Sequence, residues 1–155
     1  MKHIVVHTNV LLISLVVVLA SLAPTAHAAN CSTATVAGNW AFTLTGTLIV
    51  QAGGVPVAAA GRFTADGDGN ITGVEARSVG GGYADETLTG NWTVNPDCTS
   101  TLTAKIYESG SLVRISVVSL AFDDNSKEAR MVQQSLTLPD GTVLPVVITL
   151  EARKQ

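Results

Sequence analysis

Residues 87–106 read TLTGNWTVNPDCTSTLTAKI, and this stretch decides the fold. Apolar and polar residues alternate on both sides of its centre, and this period of two is typical of a β-strand with one buried face. Asn95-Pro96-Asp97 is typical of a tight turn between two strands. The stretch therefore predicts an antiparallel hairpin that packs on a core from one side. The apolar residues that alternate with threonine, asparagine or lysine are Leu88, Gly90, Trp92 and Val94 before the turn, and Leu102, Ala104 and Ile106 after it.

The same alternation recurs along most of the chain, between clusters of Gly, Asp, Asn and Pro. Connections this short favour antiparallel neighbours, because parallel strands need long crossovers. We therefore predict an all-β fold, an antiparallel up-and-down meander of about eight strands that closes into a barrel, with a two-sheet β-sandwich as the alternative. The eight predicted strands span residues 38–50, 56–66, 71–79, 84–95, 100–108, 112–122, 128–138 and 143–153.

The segment 126–134 fits two kinds of secondary structure. Its Lys, Glu, Ala, Arg, Met and Gln content suits a helix that Asn125 would cap. In residues 135–138, SLTL, polar and apolar side chains alternate, as they do in a β-strand. Pro139-Asp140-Gly141, which follows, is typical of a hairpin turn. We predict a strand.

Residues 1–28 have the features of a cleavable secretory signal peptide. Lys2 precedes an apolar run over 10–23, and Ala26-His27-Ala28 places small residues at the positions that a signal peptidase requires. The run is shorter than the roughly 20 residues that span a bilayer. We therefore expect an N-terminal signal helix, a single all-β domain over 29–155 that is secreted or periplasmic, and no stable membrane insertion after cleavage.

Two cysteines remain after residue 28, Cys31 and Cys98. Export would place both in an oxidising compartment, where a pair of cysteines in a small domain usually forms a disulfide. Neither cysteine has a basic or histidine neighbour in sequence that would activate a thiolate. The sequence therefore predicts a structural disulfide between them.

Several chemistries are excluded by what the predicted mature chain lacks. All three histidines, at positions 3, 7 and 27, lie in the predicted signal peptide, which excludes Ser–His–Asp triads and histidine-ligated metals. The full chain has a net charge of −3 and no basic clusters, so it lacks the positive surface that binding to nucleic acid requires. Asp66-Gly67-Asp68-Gly69-Asn70 resembles the start of a calcium loop, but Ile71 and Arg77 occupy the positions of its obligatory Gly and Glu. We expect a turn there, and no metal, no cofactor and no catalytic residues.

Charged and aromatic residues on the predicted inner face are the candidates for binding a ligand. Strict alternation points Glu75, Arg77 and Arg114 inward, whereas a bulge or register change would turn these charges to solvent, which we favour because buried charge is costly. Aromatic side chains either line a cavity or, as is more common, plug the core. The candidate ligand-binding residues are Trp40, Phe42, Glu75, Arg77, Trp92 and Arg114.

Short motifs carry a likeness to a known group of barrels. Gly38-Asn39-Trp40 resembles the G-x-W that opens the first strand of lipocalins, and the run from Ala65-Asp66-Gly67 through Ile71-Thr72-Gly73 to Leu88-Thr89-Gly90 is similar to avidin-type hairpins. The later motifs of both patterns are missing here. The resemblance to these calycin-type barrels implies an eight-stranded barrel that holds a small hydrophobic ligand or cofactor.

Three functions follow from these observations. The leading hypothesis is an exported, non-catalytic β-barrel that binds a small or hydrophobic ligand. The second is an envelope or extracellular structural or interaction protein with a solid core, whose partner is a protein. The third is a hydrolase that uses two of the carboxylates of Glu75, Glu86 and Glu108.

Overall fold

The structure of the chain, a computed structural model, describes residues 31–123 and 125–155. The predicted signal peptide and its cleavage site lie outside these residues. Among the described residues, no helix is long and apolar enough to cross a membrane. The elements are helix α1 (Thr33–Val36) and strands β1 (Gly38–Val50), β2 (Gly53–Ala65), β3 (Asn70–Val79), β4 (Gly82–Val94), β5 (Thr99–Glu108), β6 (Ser111–Asp123), β7 (Glu128–Thr137), β8 (Val143–Leu144) and β9 (Val146–Lys154).

Eight of the strands close into an antiparallel barrel. Strands β1 to β7 pair consecutively, each with the next along the chain. Strand β9 then lies between β7 and β1 and pairs with both, which closes the barrel. The short β8 is an extra strand that pairs with the end of β7. The predicted meander and its closure into a barrel are therefore confirmed, and the sandwich alternative is wrong.

Strand bounds agree with the predicted ones to within a few residues, with one interruption. The segment that could have been a helix is β7, as predicted. The predicted eighth strand, 143–153, is divided at Pro145 into β8 and β9. Proline has no N–H to donate to a sheet, and the pairing is interrupted at Pro145.

Each strand turns one face inward and one outward. Most inward side chains are apolar, and threonines cover much of the exposed face, as on β4, where Thr87, Thr89 and Thr93 are exposed. Two bulges change the alternation, one on β6 at Val113 and one on β7 at Gln134. On one side of each bulge the odd-numbered residues face inward, and on the other side the even-numbered residues do.

Two inward-facing glycines lie where a side chain would collide with an aromatic residue of the neighbouring strand. A Cβ at Gly61 would come within 2.7 Å of the ring of Phe42, and one at Gly73 would come within 2.8 Å of the Cβ of Phe63. Each glycine is the register partner of the aromatic residue that it accommodates. Neither position therefore has room for a Cβ.

One end of the barrel is closed by an aromatic plug, which consists of Trp40, Phe63, Trp92 and Phe122. Their ring centroids lie 5.4–6.1 Å apart, mostly edge to face. Trp40 is fully buried.

Helix α1, which the sequence analysis did not predict, covers the plug. Its carbonyl at Val36 accepts a hydrogen bond of 3.0 Å from Trp40 Nε1. The side chain of Ser32 caps the helix by accepting from the Thr35 N–H.

The predicted disulfide joins Cys31 to Cys98 and ties the segment before α1 to the β4–β5 turn. Its 67-residue separation corresponds to about 4 kcal/mol of stabilisation in the chain-entropy model. The covered end of the barrel is therefore held by a covalent bond as well as by packing.

Candidate functional site

A cavity of about 190 Å³ occupies the barrel interior beyond the aromatic plug. Phe42 and Phe63 lie in its wall on the side of the plug, and Leu48, Val79 and Leu138 line it near the opposite end. Most of its other lining residues are aliphatic. Five lining side chains are polar: Glu75, Arg77, Arg114, Ser116 and Gln133.

The charged residues face the interior. Glu75 and Arg77 share the inner face of β3, and Glu86 is the register partner of Glu75 on β4. The side chains of Glu75, Glu86 and Arg114 are 5%, 0% and 10% exposed. The expectation that a bulge turns the predicted charges outward is therefore wrong. A bulge does occur beside Arg114, at Val113, but it leaves the arginine inward and brings Val113 into the cavity wall in place of Leu112.

Glu86 is the centre of the charged cluster, which we define as Glu75, Arg77, Glu86 and Arg114. Its two oxygens accept five hydrogen bonds. Arg77 donates three of them, at 2.9–3.0 Å, from Nε and Nη2. Arg114 donates the other two, at 2.7 and 2.8 Å, from Nη1 and Nη2. Bidentate arginine–carboxylate pairs of this kind hold a buried carboxylate in its charged form.

Glu75 accepts fewer hydrogen bonds from the arginines than Glu86 does. It accepts one hydrogen bond from an arginine, 2.6 Å from Arg114 Nη2. That nitrogen also donates to Glu86, so the two carboxyl groups lie side by side on one guanidinium.

The two carboxyl groups consequently titrate in opposite directions. Burial first, and then the adjacent Glu86 carboxylate, raise the pKa of Glu75 to about 7 against the attraction of Arg114. Burial also acts to raise the pKa of Glu86, but hydrogen bonds and charge from Arg114 and Arg77 outweigh it and lower that pKa to about 2. Near neutral pH the cluster therefore holds one fixed carboxylate and one that exchanges a proton.

The raised pKa of Glu75 makes stability depend on pH. Between its ordinary value of 4.5 and about 7, the folded protein keeps a proton that the unfolded chain releases. The free energy of unfolding therefore falls as the pH rises through this interval. Glu86 acts oppositely, because the stability it contributes is lost only as the pH falls from 4.5 towards 2.

We expect the free energy of unfolding to be roughly 1–3 kcal/mol higher near pH 5 than near pH 8, and Glu75→Gln to remove this difference. Urea denaturation at the two pH values measures it. Glu108→Gln is the matched control, because Glu108 is exposed at the end of β5 and should leave the wild-type profile unchanged. A wild-type profile as flat as that of the Glu75→Gln variant contradicts the prediction.

A second polar pair lies in the cavity wall. Gln133 Nε2 donates to Ser116 Oγ and to the Ser135 carbonyl, both at 3.1 Å. Neither Gln133 nor Ser116 was among the predicted site residues, although both follow the inward alternation of their strands. A polar residue on an otherwise apolar inner face is the signal that identifies them.

The structure separates the six predicted ligand-binding residues into two groups. Phe42, Glu75, Arg77 and Arg114 line the cavity, whereas Trp40 and Trp92 are in the aromatic plug and not in the described cavity wall. The sequence alone did not show which two of the three candidate carboxylates, on Glu75, Glu86 and Glu108, lie close together. Register brings Glu75 and Glu86 together, while Glu108, opposite Glu86 on β5, is exposed.

The Asp66–Asn70 segment forms a turn, as predicted. Asp66 Oδ1 accepts from the backbone N–H groups of Asp68 and Asn70, at 3.0 and 2.8 Å, and these bonds occupy the carboxylate. Within residues 31–123 and 125–155, no cluster of three His, Cys, Asp or Glu residues has the arrangement of a metal site.

Comparisons with known proteins identify the fold. No family model and no curated protein sequence matches the chain. A solved structure of EF1p2_mFAP2b bound to DFHBI is similar, with a TM-score of 0.54 and 13% identity over 81% of this chain and 100% of that one. A redesigned β-barrel, mFAP1, also bound to DFHBI, has a TM-score of 0.51 and 16% identity over 79% of this chain and 98% of that one. The chain shares their barrel fold. At these identities the likeness is one of fold, and the calycin resemblance agrees with it.

Proposed function

We propose that this protein is an exported, non-catalytic barrel that binds a small, mainly apolar molecule in its cavity. The observation that carries the proposal is the cavity itself, whose wall is apolar apart from a few convergent polar groups. Ligand sites commonly have this composition, because apolar surface supplies affinity and a few polar groups supply orientation.

The cavity volume limits the size of the ligand. A cavity of about 150 Å³ in an engineered protein accommodates benzene. The cavity here, at about 190 Å³, has room for a ligand somewhat larger than one aromatic ring. We therefore propose a ligand with one ring or a short branched chain, and one polar group directed at the charged cluster.

Two further observations support the proposal. Both similar solved barrels hold DFHBI, so barrels of this fold accept a small molecule. The disulfide between Cys31 and Cys98 suits an oxidising compartment, which supports secretion or a periplasmic location.

The solid-core alternative is less favoured. A dry, fully packed interior would have argued against ligand binding, but only the end with the aromatic plug is packed in this way. The other half of the described barrel contains the cavity. An interaction protein with a filled core has no need of this space.

The hydrolase alternative has one observation in its favour, the pKa of about 7 at Glu75, which would suit a general acid or base. A glycosidase needs its two carboxyl groups about 5 Å or more apart, with the substrate between them. Here Glu75 and Glu86 share one nitrogen of Arg114, which leaves no space for a substrate between them. We therefore propose binding without catalysis.

Native mass spectrometry of the protein purified from its own host tests the proposal. We expect a mass above that of the disulfide-bonded polypeptide, which is lost on denaturation and corresponds to a small organic molecule. A polypeptide that carries no additional mass, and that also fails to bind para-xylene in solution, would contradict ligand binding.

Filling the cavity should weaken that binding. Ala104 on β5 is buried in the cavity wall, so Ala104→Leu places extra carbons where the ligand would lie. We expect the affinity for the ligand to fall about tenfold or more. Isothermal titration calorimetry measures the loss.

The matched control is Ala121→Leu, at an exposed position on β6. It adds the same carbons outside the barrel and should leave the affinity unchanged. Thermal unfolding of both variants shows that each is folded at the temperature of the titration. Equal affinities for the two variants would place the ligand outside this cavity.

A further inference from the structure

One edge of the Arg77 guanidinium is free. Its Nε and Nη2 donate to Glu86, whereas Nη1 donates to no other described residue. The side chain lines the cavity and is 21% exposed, more than any other member of the charged cluster. Because a guanidinium carries five N–H donors in a planar fork, the Nη1–Nη2 edge can still bind an acceptor with two oxygens.

The charges inside the barrel balance when all four members of the charged cluster are ionised. Glu75 faces Arg77 from its own strand, Glu86 from β4 and Arg114 from β6. From the other strands, the described residues that line the cavity are uncharged; examples are Phe42 and Leu44 from β1, Val57 from β2, Ile106 from β5, Gln133 from β7 and Ile148 from β9. An anion entering this site would leave one negative charge in excess, and buried unpaired charge is costly.

Glu75 is the group that can remove this excess. It accepts one arginine hydrogen bond where Glu86 accepts five, so protonating Glu75 disturbs the cluster least. With Glu75 neutral, the two arginines and Glu86 carry one net positive charge. A ligand anion then restores neutrality.

We propose that the ligand is a small monocarboxylic acid, bound as its anion to the free edge of Arg77, and that Glu75 takes up one proton from solvent as the ligand enters. This inference rests on the proposed function and specifies its ligand class. No covalent bond forms or breaks in the protein or the ligand, because solvent supplies the proton and the Glu75 carboxylate accepts it. The apolar part of the acid lies against the aliphatic wall and Phe42.

The pKa of Glu75 in the unliganded protein, about 7, supports this coupling, because a small change in its surroundings then changes its protonation near neutral pH. At a pH above that value, Glu75 must bind a proton when the anion binds. At a pH below it, Glu75 already carries the proton.

Calorimetry of the wild-type protein, produced from the full chain, tests the proposal with matched probes. The ligands are para-toluic acid, para-toluamide and para-methylbenzylamine, which share a skeleton and differ in charge, and para-xylene, which has no head group. Each is titrated near pH 8.5 and pH 6 in two buffers that differ in ionisation enthalpy.

We expect the acid to bind tightest of the four. It should take up close to one proton near pH 8.5 and almost none near pH 6, and its affinity should be about thirtyfold higher near pH 6 than near pH 8.5. In Glu75→Gln, which is neutral at every pH, the affinity for the acid should be independent of pH. Glu108→Gln should behave as the wild type does.

The failures are distinguishable. If para-xylene binds but the amide or the amine binds more tightly than the acid, or if the acid binds without proton uptake, this inference is wrong and the proposed function stands. If none of the four binds, the proposed function fails too. The wild-type measurement in two buffers needs no variant, so the proposal is testable even if Glu75→Gln does not fold.

Discussion

Replacing Arg114 by leucine is expected to lower the free energy of unfolding by about 3–5 kcal/mol near pH 8, because it removes the partner of two buried carboxyl groups. Arg114 alone among the arginines donates to both Glu75 and Glu86, at 2.6–2.8 Å. Arg77 would still hold Glu86, but Glu75 would lose its arginine partner. Guanidinium chloride denaturation measures the loss.

The pH and a second substitution distinguish a charge effect from a packing effect. Near pH 5 the loss should be smaller, because Glu75 is then neutral in the wild-type protein as well. Adding Glu75→Gln to Arg114→Leu should restore part of the stability near pH 8. A loss that is the same at both pH values and insensitive to Glu75→Gln would mean that Arg114 acts through packing alone.

Arg130→Leu is the matched control for this substitution. Arg130 pairs with Asp123 at 3.0 Å, but its side chain is 69% exposed. Water already solvates such a pair, so its removal should cost less than about 1 kcal/mol. Equal losses at the two arginines would mean that burial does not determine the cost of removing the charge.

Trp40→Ala is also expected to lower the free energy of unfolding by about 3–5 kcal/mol, but for a different reason. The indole is fully buried and its centroid lies 5.8–6.1 Å from those of the other three rings of the aromatic plug. Truncation leaves a void that these rings cannot fill without breaking their contacts. Thermal and chemical unfolding both measure the loss.

Trp40→Phe separates the ring from its hydrogen bond. It keeps an aromatic ring but removes the Nε1 donor to the Val36 carbonyl, so we expect an intermediate loss of about 1–3 kcal/mol. Tyr83→Ala removes an aromatic side chain that is 68% exposed and should cost well under 1 kcal/mol. If Trp40→Ala were as mild as Tyr83→Ala, the plug would not support the barrel.

The strands could be predicted because their information is local. On β4 and β5 the side-chain period of two is written directly in the sequence, and Asn95-Pro96-Asp97 marks where the chain reverses. The disulfide was predictable for a similar reason, since Cys31 and Cys98 are the cysteines outside the predicted signal peptide. The signal peptide itself remains a prediction from the residues alone.

The charged site could be predicted only in part. Alternation points Glu75 and Arg77 inward, but whether a bulge reverses it depends on pairing with other strands. The bulge at Val113 lies next to Arg114 and leaves it inward. The partners of Glu75 come from 11 and 39 positions away along the chain, so no local pattern indicates them.

The sequence by itself determined that this chain forms short antiparallel strands with one apolar face, because that information lies in neighbouring residues. Tertiary structure decided which inward residues meet. Closure of the barrel placed Trp40 and Trp92 in a solid plug and left a cavity above Phe42. It also brought Arg114 to Glu75 and Glu86, which made burial of these charges tolerable. Such contacts depend on the register of several strands at once, and register is a property of the whole sheet.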